Sequence, residues 1–202
     1  MGVLEHDAAT LIQRTLRDSA AVKQQIVDSP AIIETIVRAA DAMARAIFDG
    51  KKLLFFGNGG SAADAQHLTA EFTGRFMAQG RKPLAAVALT ANTSSLTAIG
   101  NDFTFDEVFS REVQALGNPG DVAIGISTSG NSPNVLKALE AAKANRLTTI
   151  GLTGRDGGRM KALVDIAVIV PSKDTQRIQE SHIAIGHAWC ELVEHAYLAR
   201  AR

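Results

Sequence analysis

His67 and Glu71 stand four residues apart in the stretch 53–75, LLFFGNGGSAADAQHLTAEFTGR. If the chain turns helical after its glycines, the imidazole and the carboxylate project from one face, one turn apart, and Arg75 continues the row. A histidine, a carboxylate and a guanidinium in line suit a phosphorylated substrate or a metal ion. A solvated helix face ending in an arginine would show the same spacing. A second candidate is Ser127-Thr128-Ser129-Gly130-Asn131-Ser132, where four hydroxyls fall within six residues. Backbone N–H groups and the macrodipole at the start of a following helix hold a phosphate there without help from Lys or Arg. The loop lacks the Gly-Lys-Ser/Thr of a P-loop, so a sugar monoester fits it better than a nucleoside triphosphate. An ordinary serine-rich cap is the plainer reading, but the density of hydroxyls after an apolar run favours phosphate. Asn101 and Asp102, in the polar run Gly100-Asn101-Asp102-Phe103, could contact sugar hydroxyls, or Asp102 could simply cap a helix. Near the end of the chain, Gln179 and His187 lie two helical turns apart and within about 80° around the axis. His182 points toward another face and reads as structural or interfacial.

Elements to position these groups are visible in the pattern. Leu53-Leu54-Phe55-Phe56 is short and wholly apolar, as a strand buried on both faces is. Gly57-Asn58-Gly59-Gly60-Ser61 then breaks the run, and its glycines permit positive φ and leave N–H groups bare. Ser61 is a plausible N-cap for a helix over 61–77. Further strands are expected at 84–89, 122–126, 148–152 and 166–170. Helices are expected at 94–99, 105–115, 132–144, 158–163 and 175–197. Strand alternating with helix predicts an α/β fold with a parallel sheet, and ligands then sit beyond the carboxyl ends of the strands. Before this core, residues 4–49 read as two helices. Ser29 and Pro30 fit the N-cap and N1 positions of the second, and its Ile, Val, Ala and Met residues repeat at three and four. Such a helical arm, over residues 1–50, is expected to pack on another subunit, with residues 51–202 forming the single α/β domain.

Hydrophobic residues make up 46% of the 202, enough for a sizeable core, and 21 basic residues balance 21 acidic ones. A neutral chain has no global electrostatic footprint for nucleic acid. No apolar run approaches the length of a membrane span, and the first residues do not read as a secretion signal. The lone Cys190 excludes an internal disulfide framework and fits a reducing cytoplasm.

GNGGSAADAQH, GNDF, GDVAIGISTSGNSPNV, LTGRDGG and RIQESHIAIGH together resemble the sugar isomerase (SIS) domain family, and within it the phosphoheptose isomerases. The STSGNS loop marks only the broad class. His67-x-x-x-Glu71 combined with Arg177-Ile178-Gln179-Glu180 and His187 is far more specific. The resemblance runs through nearly the whole chain.

It implies a three-layer SIS fold, a five-stranded parallel sheet flanked by helices, and a homotetramer with shared active sites. It implies that Asn58, Gly59, Gly60 and Ser61 line a sugar-phosphate substrate. Ser127, Thr128, Ser129 and Ser132 would hold its phosphate, and Asn101 and Asp102 its oxygens. Glu71 and His187 match the family's acid/base pair. His67, Glu71, Gln179 and His187 match positions that hold zinc in some members, one ion per subunit. Arg75 and Gln179 join the substrate contacts. The implied reaction turns sedoheptulose 7-phosphate into D-glycero-D-manno-heptose 7-phosphate, an early step toward lipopolysaccharide or other surface glycans. Some members carry an acid where this chain has Gln176, although Asp174 lies nearby. Two other readings belong to the same class: a SIS protein for a different sugar phosphate, and a non-catalytic paralogue that binds a replication initiator. That paralogue branch lacks the Glu and the final-helix His that are present here as Glu71 and His187.

Overall fold

The computed structural model describes residues 7–200. Five strands form one parallel sheet: β1 (Leu53–Gly57), β2 (Ala86–Ala88), β3 (Val122–Ser127), β4 (Thr148–Gly154) and β5 (Ile166–Val170). Their order is β2-β1-β3-β4-β5. The chain therefore winds to one side after β1 and to the other after β3, which opens a crevice between the carboxyl ends of these two strands. Register is continuous from Leu53 against Val122 to Gly57 against Ile126. The expected α/β class and parallel sheet are what is found.

Side chains on β1 alternate between two cores, and all four apolar ones are fully buried. Leu53 and Phe55 face a layer built by α1 (Ala8–Val27), α2 (Pro30–Phe48), α3 (Gly60–Thr73) and α8 (Thr175–Arg200). Leu54 and Phe56 face α4 (Thr93–Asp102), α5 (Val108–Leu116), α6 (Pro133–Ala144) and α7 (Met160–Leu163). α2 begins as its sequence indicates: Pro30 occupies the first turn, and the Ser29 hydroxyl accepts from the backbone N–H of Ile32. Trp189 of α8 is wholly buried and donates its Nε1–H to the Ile36 carbonyl of α2 at 3.1 Å. Among the described residues no helix is long and apolar enough to cross a membrane. Cys190 is a buried free thiol that burial pushes up to about 12.

Several local expectations are corrected. The helix carrying His67 starts at Gly60, with Gly59 at φ +55° in the cap position, so Ser61 sits inside the first turn and is buried rather than capping. That helix ends at Thr73, and Gly74 at ψ −110° breaks it, so Arg75 lies beyond the end and does not extend the row of His67 and Glu71. Asn101 and Asp102 are not a loop. They form the last residues of α4, exposed, with Asn101 Nδ2 donating to Asp102 Oδ1 at 2.8 Å. The segment from 105 opens as a 3-10 turn at Phe105–Glu107 before α5. The strand expected at 84–89 contracts to the edge strand Ala86–Ala88. Asp174 caps α8 by accepting from the Gln176 N–H at 2.9 Å.

His182 proves structural. It is fully buried and its Nε2 faces the Thr153 carbonyl at 3.1 Å, so Nε2 carries the proton and Nδ1 is left without a partner. Burial holds its pKa down at about 4, against 6.5 for a free histidine. The unfolded chain thus takes up a proton near pH 6.5 that the native one refuses until about pH 4, and stability falls as pH drops through that window. A loss of about 3 kcal/mol is expected from this residue, read as a steeper melting-temperature decline in the parent than in His182→Gln below pH 6.5.

Candidate active site

α3 and α8 both descend from the carboxyl edge of the parallel sheet, so they run side by side in the same direction. Two glycines let them approach. A Cβ on Gly60 would strike the Gln179 amide, and a Cβ on Gly186 would meet Leu68 Cδ2 at 2.6 Å. The spacing from Gly60 to His67 nearly matches that from Gln179 to His187, so the second contact forms in step with the first. His67 Nε2 and His187 Nε2 face each other at 2.8 Å, across 120 residues of sequence. Glu71 Oε1 lies 3.4 Å from the same His67 atom. The three side chains can each offer a ligand atom within 4.8 Å of the others. The Phe76 ring flanks His187, with ring centres 5.8 Å apart. His67 keeps about half its side-chain surface exposed, 48%, and Glu71 24%, so a ligand in the crevice can reach both.

Two imidazoles and one carboxylate are the donor set of a catalytic metal site that leaves a position open. Their convergence fits a divalent transition ion. Which of the two Nε2 atoms donates across the 2.8 Å contact depends on the tautomers of the rings.

The serine loop lies at the end of β3, across the crevice. Ser127 and Ser132 share a hydroxyl–hydroxyl hydrogen bond of 2.9 Å, so Ser132 starts α6 without spending its hydroxyl on the cap. Ser129 Oγ accepts from the Asn131 N–H at 3.2 Å. The loop rests on the turn after β4: Asn131 Oδ1 accepts from the Arg159 N–H, and the Gly130 carbonyl accepts from the Met160 N–H, both at 3.0 Å. Residues 157–160, the last two glycines of LTGRDGG and the two residues after them, thus form the loop's floor. Asn58, at the end of β1, exchanges two amide hydrogen bonds of 2.8 Å with the buried Asn134 of α6, which ties both sides of the crevice together.

Residues 16–154 match the SIS domain family. A phosphoheptose isomerase of Aquifex aeolicus is 52% identical over 94% of this chain and 98% of its own length. The solved phosphoheptose isomerase of Neisseria gonorrhoeae superposes with a TM-score of 0.87 at 47% identity, covering 93% of this chain and 98% of that one. Its counterpart from Francisella tularensis gives 0.88 at 35% identity, with the same coverage. The chain belongs to the phosphoheptose isomerase family.

The fold thus brings the acid/base and ligand candidates of a phosphoheptose isomerase, His67, Glu71 and His187, into one cluster. Gln179 sits against Gly60 at the top of the same helix pair. Asn58, Gly59, Gly60 and Ser61 form the turn into α3, and Ser127, Thr128, Ser129 and Ser132 the facing loop. Arg75 is exposed beyond α3, and Asn101 and Asp102 bond to each other, with no hydrogen bond among the described residues joining any of them to the cluster. Sequence reasoning passed over Asn134, whose reciprocal amide pair gives no local signal. It also passed over Asp64, one turn before His67. Burial raises Asp64 to about 6 against the pull of the His67 charge, and its Oδ2 has no partner. Arg155 and Lys173, which border a cleft of about 580 Å³ beside Ser129 and Asn131, were likewise missed. Arg155 lies within LTGRDGG, whose resemblance to the family singles out no role for it, and Lys173 follows β5 and carries no motif of its own.

Proposed function

We propose that the chain interconverts sedoheptulose 7-phosphate and D-glycero-D-manno-heptose 7-phosphate, feeding heptose into lipopolysaccharide or another surface glycan. The observation that carries this reading is the convergence of His67, Glu71 and His187 between α3 and α8, the helices that descend from the carboxyl edge of the sheet, in a chain of this family. Moving from a 2-ketose to an aldose takes a proton from C1, forms an enediol or enediolate, and returns a proton to C2. A carbon base and an acid for the carbonyl oxygen are both required. Glu71 removes and returns the carbon-bound proton, and His187 exchanges protons with the O1 and O2 oxygens. Ser127, Thr128, Ser129 and Ser132 hold the phosphate, while Asn58 and the N–H groups of Gly59, Gly60 and Ser61 orient the sugar. In this reading Arg75, Asn101 and Asp102 reach substrate only within the assembly. Zinc would be held by His67, Glu71, Gln179 and His187, and would polarise the carbonyl oxygen.

The same reading includes a homotetramer. Leu11, Ile12, Leu16, Val27, Ile33 and Val37 leave an apolar stripe exposed on α1 and α2, and a second copy is its proposed cover. A buried thiol with no disulfide suits the cytoplasm. Purified protein mixed with sedoheptulose 7-phosphate is expected to form aldoheptose phosphate, to lose that activity to a strong chelator and to regain it with zinc. Absence of conversion under all three conditions would remove the isomerase assignment.

A further inference from the structure

Where α3 ends, no αL residue closes it; the Phe72 carbonyl accepts from the Leu84 N–H at 3.0 Å, and the carbonyls of Glu71 and Gly74 need other partners. One side chain supplies them. Arg81 Nη2 donates to the Glu71 carbonyl at 2.8 Å and to the Gly74 carbonyl at 3.4 Å. Its Nη1 donates to the Phe72 carbonyl at 3.0 Å and to the Lys82 carbonyl at 2.8 Å. Its Nε donates to Glu194 Oε1 at 2.7 Å. All five donors of the guanidinium are therefore used. The other oxygen of Glu194 accepts from the N–H groups of Met77 and Ala78, both at 2.9 Å. The two side chains are 1% and 3% exposed.

Glu194 lies two turns beyond His187 on α8, on nearly the same face, and Arg81 grips the carbonyl of Glu71 itself. We propose that the buried Arg81–Glu194 pair is a positioning clamp for the isomerase reaction, fixing the axial setting of α3 against α8 and so the distance from His67 and Glu71 to His187. A buried ion pair is a poor device for stability, since apolar residues of similar volume commonly replace it at no loss. It is a good device for register, because its hydrogen bonds are satisfied in one arrangement only. Neither residue reaches the crevice, so the pair acts through the backbone of α3 and the segment 74–83.

This inference rests on the proposed reaction for its kinetic consequence but not for its geometry. The decisive variant is Arg81→Met with Glu194→Leu, which removes both charges together. It also leaves the carbonyls of Glu71, Gly74 and Lys82 and the N–H groups of Met77 and Ala78 without these partners, so it is expected to melt below the parent and, folded, to lose about 10- to 100-fold in kcat, the scale set by a displacement near 1 Å. KM for sedoheptulose 7-phosphate is expected to stay within about threefold, because the serine loop belongs to β3 and α6. A crystal structure of the variant is expected to show the His67–His187 Nε2 separation widened by about 1 Å or more. A separation still at the parental 2.8 Å overturns the clamp whatever the rate does. If the double variant does not fold, Glu194→Gln is judged by the same separation. If the parent does not isomerise the sugar phosphate, the reaction assignment fails, while the separation still decides the clamp.

Discussion

Glu71→Gln is expected to lower kcat for sedoheptulose 7-phosphate by about 10²- to 10⁴-fold, the usual worth of a positioned acid/base group. Gln keeps the shape and half of the hydrogen-bonding capacity, and the side chain lies at the open end of α3, so the melting temperature is expected to change little. The loss belongs in kcat more than in KM, because in the proposed reaction the serine loop and the turn into α3, rather than Glu71, would hold the phosphate and orient the sugar. The same variant separates two roles that compete for one carboxylate. A carboxylate that donates its lone pair to zinc is a weaker base. If Glu71 only ligates the metal, saturating zinc restores a large share of the activity to Glu71→Gln. If Glu71 moves the proton, zinc restores none. Activity within a few-fold of the parent, measured without added metal, would end both roles.

Unphosphorylated sedoheptulose is expected to lose about 10³-fold or more in kcat/KM, roughly 4 kcal/mol, with part of the loss in kcat. In the proposed reaction the serine loop and the α6 N-terminus would anchor the far end of the sugar, and that anchoring would hold C1 and C2 against Glu71 and His187. Two measurements check this. Inorganic phosphite added with the bare sugar is expected to recover part of the rate, because a separate anion can fill the loop. Changing Ser127 and Ser132 together to Ala is expected to cost much activity on the phosphorylated sugar and almost none on the bare one. Their hydroxyls bond to each other at 2.9 Å, so the two substitutions act as a unit and will not be additive. Equal losses on both sugars would show that the loop holds the fold rather than the phosphate.

β1 was legible because all four apolar residues, Leu53 to Phe56, are buried on both faces, and an apolar run that glycines cut off after four residues is too short for a buried helix. The start of α2 was legible because Ser29 and Pro30 act locally. The end of α3 was not. Arg75, Phe76 and Met77 continue a good helical pattern, and what stops it is Gly74 together with a guanidinium six residues beyond Arg75 and a carboxylate on α8. Asn101 and Asp102 misled because polar residues at the end of an exposed helix have the same composition as a loop. His67 with Glu71 was visible as an i,i+4 pair. That His187 meets them depends on the crossovers of the sheet and on Gly60 and Gly186, whose closeness to the facing helix no spacing encodes.

The 120 residues between His67 and His187 also set an order of assembly. Contacts that close long stretches of chain carry the largest loop entropy and form late. The crevice between β1 and β3, with the Asn58–Asn134 pair and the serine loop, is complete once α6 and the turn after β4 have docked. The reactive cluster waits for α8. On the proposed reading, a chain in which α8 has not docked would keep the phosphate loop but lack His187 and Gln179, so it could hold a sugar phosphate but not transform one. Ligand present during refolding would stabilise that intermediate and make recovery of binding run ahead of recovery of turnover.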